Sequence, residues 1–416
     1  MTRSMLGTLS LIMLVGACTK AGPSPTTPPG GSASTEPVPG ATQPPPGGPS
    51  AAPSTSATAF PPAKLTFLEM HKACAKSLEE AWAAHDADKI LALYAPNARV
   101  ASAGPKGWNE APVMETKAGL QSMMVAFPDA KMKVTRLLSA GENAAIEFTL
   151  TGTNQGDLMG EKPTGKPFGV KAASMLVFAK DGKIVHEAEY IDLGMILGQL
   201  GKGTPGQKFR PVEPAPSSPL EVLVTAPGEE PKNVTVLKKL YEAFQKRDHK
   251  TMSGPFAEDG IISNVHDAAD ITKADLVKML PARDKVYVDQ GSVVKQCINA
   301  GEFAACEYEW TGTWKGSDLG QAPTGKRGTV HELDVARVKD GKIVRIDGYG
   351  SSLESAIAFG RPLPLVLAAA KQPPKPEPKA PPKGQPTEPA PKPEPAPPPQ
   401  GQPTPAPKPE PKPPAK

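Results

Sequence analysis

Gly141 to Lys166 reads GENAAIEFTLTGTNQGDLMGEKPTGK, and Gly301 to Lys326 reads GEFAACEYEWTGTWKGSDLGQAPTGK. Of these 26 positions 14 are identical, without a gap. Both copies turn at a Gly-Glu pair into an alternating run, which predicts a β-hairpin. Both then reach Lys-Asp-Gly-Lys-Ile-Val, at 180–185 and 339–344. Upstream, Ala81-Trp82 and Asp86 resemble Ala243-Phe244 and Asp248. The chain therefore carries one structural unit twice.

Working outward from the hairpin gives the rest of the unit. Phe67 to His85 places Leu68, Leu78 and Trp82 at helical spacing. Ala87 to Tyr94 reads as a second short helix stopped by Pro96, and Glu115 to Phe127 as a third. Met132 to Leu138 pairs through the Gly141 turn with Ala144 to Thr153. Val170 to Ala179 turns at Asp181-Gly182 into Lys183 to Asp192, and a helix from Leu193 to Leu200 closes the unit. Helices first and an antiparallel meander after is an α+β plan.

Composition separates these units from their connections. The 416 residues include 52 prolines, gathered at 21–62, 203–231 and 372–416. The expected division is an export signal at 1–18, a disordered linker at 19–62 and a first domain at 63–201. A linker at 202–231, a second domain at 232–370 and a disordered Pro/Lys/Glu-rich tail at 371–416 follow. The linkers lack the large apolar side chains that would offset the entropy of ordering, and the tail favours polyproline II. A net charge of +4, with no basic stripe interleaved with aromatics, argues against nucleic acid.

Arg3 followed by the apolar run Met5 to Val15 has the form of a secretory signal and is too short to span a bilayer. The run ends in Leu14-Val15-Gly16-Ala17-Cys18, which resembles the bacterial lipobox, where the cysteine is acylated. An ordinary cleaved signal is the alternative. Thr19 in place of an Asp after the cysteine points to the outer membrane, on its periplasmic or surface face.

The paired plan resembles the SnoaL-like (ester cyclase or polyketide cyclase-like) branch of the NTF2-like superfamily. The resemblance is carried by Phe127-Pro128-Asp129, Thr151-Gly152-Thr153, Pro163-Thr164-Gly165-Lys166, Asp181-Gly182-Lys183-Ile184-Val185, Tyr190-Ile191-Asp192 and Gln199-Leu200-Gly201. It implies two tandem cone-shaped domains, each a bent antiparallel sheet on helices with a pocket at the open end. It also implies an acid/base carboxylate, carried over here to Asp192. Strand alternation would set His186 and Tyr190 on the same face as Asp192, with Trp82 and Tyr94 as apolar walls. Asp192 also immediately precedes the last helix, where it can serve as an N-cap. In the second copy Ser351 replaces Asp192, so titrating chemistry is expected in the first domain only.

Other motifs fail. Gly160 to Lys166 and Gly320 to Lys326 spell G-x-x-x-x-G-K, but Pro167 and Arg327 follow and strands, not helices, come next. The six histidines show no metal-ligand spacing, and no cofactor is implied. Cys297 and Cys306 stand opposite across the second hairpin, as a buried core pair or, in an exported chain, a disulfide.

The first expectation for function is a membrane-anchored protein binding a small apolar ligand or a protein partner in its cone. Alternatives are a cyclase- or isomerase-like enzyme using Asp192, and a structural envelope lipoprotein whose tail touches the cell wall. The two domains are expected to pair within the chain. For the anchor, Cys18→Ser should release the protein from the membrane fraction or leave it unprocessed. A palmitate analogue should label the unmutated protein, and no label would refute acylation.

Overall fold

The structure is a computed structural model that describes residues 65–204, 207–226, 228–318 and 320–363. Cys18, the 19–62 linker and the 371–416 tail, with the bilayer and cell-wall contacts expected of them, lie outside the described residues. No described helix is long and apolar enough to cross a membrane.

In the first domain α1 (Phe67–Ala83) starts at a capping box, in which Thr66 and Glu69 each satisfy the other's backbone N–H. Its buried residues His71, Cys74, Ala75, Leu78, Ala81 and Trp82 form one stripe. Asp86 caps α2 (Ala87–Leu91). The expected helix through Tyr94 ends there instead. Tyr94 opens β1 (Tyr94–Gly104), whose pairing with β6 shifts register between Tyr94 and Arg99, around Pro96. β2 (Gly107–Pro112), α3 (Lys117–Ala126), β3 (Lys131–Ala140), β4 (Asn143–Thr153), β5 (Pro167–Phe178), β6 (Ile184–Tyr190) and α4 (Leu193–Gln199) complete the unit.

The second domain repeats this with α5 (Lys232–Gln245), α6 (His249–Ser253), β8 (Phe256–Asn264), β9 (Ile271–Thr272), α7 (Lys273–Val286), β10 (Tyr287–Ala300), β11 (Phe303–Trp314), β12 (Arg327–Lys339), β13 (Lys342–Gly350) and α8 (Ser352–Phe359). The sheets run β2-β1-β6-β5-β4-β3-β7, where β7 is Glu221–Val224, and β10-β11-β12-β13-β8-β9. The duplication holds residue by residue: Phe148 opposes Ala172 as Tyr308 opposes Glu332, and Ser174 opposes Glu189 as Asp334 opposes Gly348. Cys297 opposes Cys306, and the two are joined in a disulfide. Cys74 is a buried free thiol.

The segment expected as a plain linker is largely built into the fold. β7 (Glu221–Val224) adds to the first sheet, parallel to β3. Phe209 lies so close to Gly198 that a Cβ there would stand 2.0 Å from its ring. Arg210 reaches the second domain, donating to the carbonyls of Asn264 and Asp267 and to Asp270.

The outer faces of the two sheets meet. Leu138, Ala145, Ala173, Met175, Ala188 and Tyr190 pack with Ile298, Phe303, Ala305, Leu333, Val335 and Tyr349 in one cluster. Two reciprocal polar contacts cross it. Tyr190 donates to Glu307 at 3.1 Å, and its counterpart Tyr349 donates to Glu147, the counterpart of Glu307. The contact is thus a pseudo-two-fold dimer within one chain. α8 also crosses over, lending Leu353 to the first domain's core. Leu333 is fully buried in this contact, so Leu333→Asp would bury an unpaired charge there. We expect the single thermal transition to split in two and the radius of gyration to rise in small-angle scattering. An unchanged radius with one transition would contradict the packing.

Candidate functional site

β6 decides what enters the first domain. Its pairing with β5 skips a residue, because Phe178 opposes Ile184 whereas Val177 opposes His186. This bulge reverses the parity of every later side chain on the strand. Ile184 belongs to the inner core, but Ala188 and Tyr190 belong to the outer, inter-domain cluster. Glu187 and Glu189 therefore point inward, where both are buried. The Tyr94 hydroxyl donates to Glu187. Ser102 and Ser174, both buried, oppose Glu189 on the flanking strands.

Burial raises the pKa of both glutamates. The Tyr94 and Ser174 hydroxyls partly offset this at Glu187, whereas the Glu187 charge drives Glu189 further up. The same environment raises the Tyr94 hydroxyl, and burial lifts the Cys74 thiol to about 12. A carboxylic acid held protonated by an apolar site can donate a hydrogen bond or a proton. The first cone thus holds a carboxyl pair and a phenol that the choice of Asp192, His186 and Tyr190 had missed. The signal available in the sequence was two glutamates two residues apart on an otherwise apolar strand. What hid them was the bulge.

The expected site residues are not brought together. Tyr190 is on the outer face, bonded to Glu307 and 5.3 Å from the Trp108 ring. His186 shares that outward parity, half-exposed and 3.9 Å from Glu110. Trp82 is core, while Tyr94 is in direct contact with Glu187. Asp192 caps α4, accepting from the Met195 N–H at 3.0 Å. It also faces Ser352 on α8 at 3.4 Å, and its Oδ2 has no hydrogen-bond partner. Asp192 therefore stands at the junction of two helix starts. The second domain keeps none of the inner set: the register places Phe256 for Tyr94, Ile346 for Glu187 and Gly348 for Glu189. A Cβ on Gly348 would stand 2.5 Å from the Asn264 Oδ1, so the neighbouring strand has taken the space of the missing carboxyl.

Among the described residues no group of three or more His, Cys, Asp or Glu is placed to hold a metal ion. The G-x-x-x-x-G-K loops run between strands, and Pro167 and Arg327 open β5 and β12.

Burial raises Asp192 to about 8, against its helix-cap and Ser352 hydrogen bonds. The folded state therefore holds its proton more tightly than the unfolded chain does. The stabilisation is complete below the ordinary carboxylate range near pH 4. It is lost as pH rises through the folded value of about 8. Asp192→Asn should flatten the decline of melting temperature between acid and alkaline pH. A decline as steep as that of the parent protein would remove Asp192 from this role.

Two family models match the chain, one over each domain. The family described as SnoaL-like polyketide cyclase matches residues 72–200, and the family described as SnoaL-like domain matches residues 237–346. Solved structures similar to the chain include AclR from Streptomyces galilaeus, at 21% identity over 33% of this chain and 93% of that one, with a TM-score of 0.29. IdmH from Streptomyces antibioticus is 20% identical over 31% of this chain and 98% of its own, with a TM-score of 0.28. An NTF2-like protein from Burkholderia pseudomallei K96243 is 17% identical over 31% and 97%, with a TM-score of 0.27. No curated protein matches the chain. With two matched segments that together span more than half of its length, the chain belongs to the SnoaL-like family, carrying its α+β domain twice in tandem.

Proposed function

We propose that this chain is a small-ligand-binding protein held at the cell envelope through acylated Cys18. In this reading its first domain takes a compact, mostly apolar molecule and recognises one oxygen of it. The observation that carries the proposal is the pair Glu187 and Glu189, buried on one strand face inside an apolar core beside the Tyr94 hydroxyl. Burial holds the pair toward its protonated form. A carboxylic acid held protonated in such a place can donate a hydrogen bond to a ligand carbonyl or hydroxyl.

A second reading, an acid–base enzyme of the cyclase or isomerase kind, is favoured by the same pair. Two neighbouring carboxyls raised by burial keep a proton that free ones would lose, which suits proton transfer next to a carbonyl. In that reading the working groups are Glu187 and Glu189, with Tyr94 as donor, and Asp192 contributes through α4.

The test uses the full chain with 2-naphthol, an apolar probe carrying one hydroxyl, followed by fluorescence. Binding should be strongest at mildly acid pH and weaken as the carboxyls ionise. Glu189→Gln should remove that pH dependence and change affinity by about tenfold, the worth of one hydrogen bond of ~1.4 kcal/mol. Pocket recognition by this pair is refuted if Glu189→Gln leaves both the affinity and its pH profile unaltered.

A further inference from the structure

The two domains differ in how their interiors are filled. The first has one continuous apolar cluster. The second is divided into two, one around Leu237, Tyr241, Cys306 and Ile346 and another around Tyr287, Trp310, Trp314 and Phe359. Polar side chains mark the division. Tyr241 donates to Asp334 at 2.9 Å, Tyr308 donates to Glu332, and the two tyrosine rings lie 4.6 Å apart. Register and helix position identify what the first domain has instead. Phe148 stands for Tyr308, Ala172 for Glu332 and Leu150 for Trp310. Met123 stands for Arg283, each accepting from the N–H of the aromatic residue that ends its helix.

Arg283 is the unusual member. Leu276, Leu280 and Arg283 lie on one face of α7, and the two leucines are buried. The Arg283 guanidinium sits over two aromatic rings, 5.1 Å from the centroid of Phe244 and 5.1 Å from that of Trp310. Among the described residues no carboxylate pairs with it, and its buried Nε has no hydrogen-bond partner. Two more buried polar atoms nearby also lack partners. They are the indole Nε1 of Trp310, a residue only 2% exposed, and the Nδ1 of His266, a residue 9% exposed. His266 is near enough to Arg283 and Glu332 to feel both charges, and burial lowers it to about 4, keeping the ring neutral. A buried donor left without a partner is costly to the fold, and a ligand that accepts from it removes that cost. A guanidinium without a carboxylate partner, set over two aromatic faces, one of which carries an indole N–H without a partner, offers what an anionic group on a ring would need.

We propose that the second domain binds a small aromatic carboxylate, its carboxylate group on Arg283 and the Trp310 Nε1–H, with its ring against Phe244 and Trp310. The Tyr308–Glu332 and Tyr241–Asp334 pairs at the other side of the polar band would meet a hydroxyl on the ring. This site is separate in place and chemistry from the first domain's carboxyl pair. It also reverses the expectation that an ionised ligand would belong to the first domain alone.

The experiment uses the full chain with 4-fluorobenzoate as probe, 4-fluorobenzamide as its neutral counterpart, and fluorine NMR as readout. The acid should bind and the amide should bind at least tenfold more weakly. Arg283→Met, which installs the residue of the first domain, should weaken the acid at least tenfold, and Glu189→Gln should leave it unchanged. Trp310→Phe keeps the ring and removes the donor, so it should weaken the acid several-fold. It serves as the deciding variant if Arg283→Met fails to fold. Equal binding of acid and amide, no binding of the acid, or loss with Glu189→Gln and not with Arg283→Met or Trp310→Phe would each overturn the proposal. Failure here leaves the first-domain reading standing, since that reading rests on 2-naphthol and its pH profile, and loss with Glu189→Gln would place the acid at the first domain's pair instead.

Discussion

The burial of one sheet against the other is the constraint on which the rest depends. A curved sheet packed on helices along its inner face still presents an outer face. Here that face carries an apolar cluster of its own, with Leu138, Ala173, Leu333 and Ala305 fully buried between the domains. Because side chains alternate along a strand, committing Ala188 and Tyr190 to this contact commits Glu187 and Glu189 to the interior. The inter-domain contact and the candidate site are therefore one decision made on one strand. The bulge opposite Val177 and Phe178 sets its sign.

Carrying both halves in one chain frees them to differ. In a homodimer every substitution appears twice across the axis, whereas here each position is chosen separately. The tyrosine–glutamate contacts show the result. Glu147 is also paired with Arg136, which in turn holds Glu221 and lies over the Phe303 ring. Its counterpart Glu307 has no arginine, and burial raises it to about 7. The neighbouring His331 is stacked on Trp108 at 4.4 Å and held by Glu354 at 2.6 Å and Glu309 at 3.3 Å. One contact is thus a fixed ion-pair network, and in the other burial holds Glu307 toward its protonated form.

Most of the fold was legible because it rests on local signals that occur twice. The Gly141 and Gly301 turns adopt positive φ, as their hairpins require, and the strands they join run within a few residues of their expected bounds. Two things were not legible. β1 carries Pro96 and Asn97 near its start and shows no alternation there, so its first residue reads as the end of a helix. β7 is a four-residue strand in a Pro-rich stretch, and only the edge of β3 gives it a reason to form. The candidate site was legible only in part. Tyr94, expected as an apolar wall, donates to Glu187, and Asp192, carried over by resemblance, caps α4 and faces α8. His186 and Tyr190, placed by strand alternation, fall on the outer face, because period-two reasoning cannot see a bulge and a one-residue slip exchanges the faces of a strand.

The two interiors hold polar groups at exchanged positions, and this follows from what a packed core tolerates. A buried carboxyl can remain if it is protonated or hydrogen-bonded, and it needs room that its neighbours would otherwise fill. The first domain makes that room on β6, where Glu187 and Glu189 stand, and keeps Phe148, Leu150, Ala172 and Met123 apolar around them. The second domain fills the same place with Ile346 and with Asn264 over Gly348. It carries its acids one strand away, on β12, with Arg283 and His266 nearby. Each cone thus carries a polar centre of its own chemistry, at positions where the other has Ile346 and Gly348 or Phe148, Ala172 and Met123.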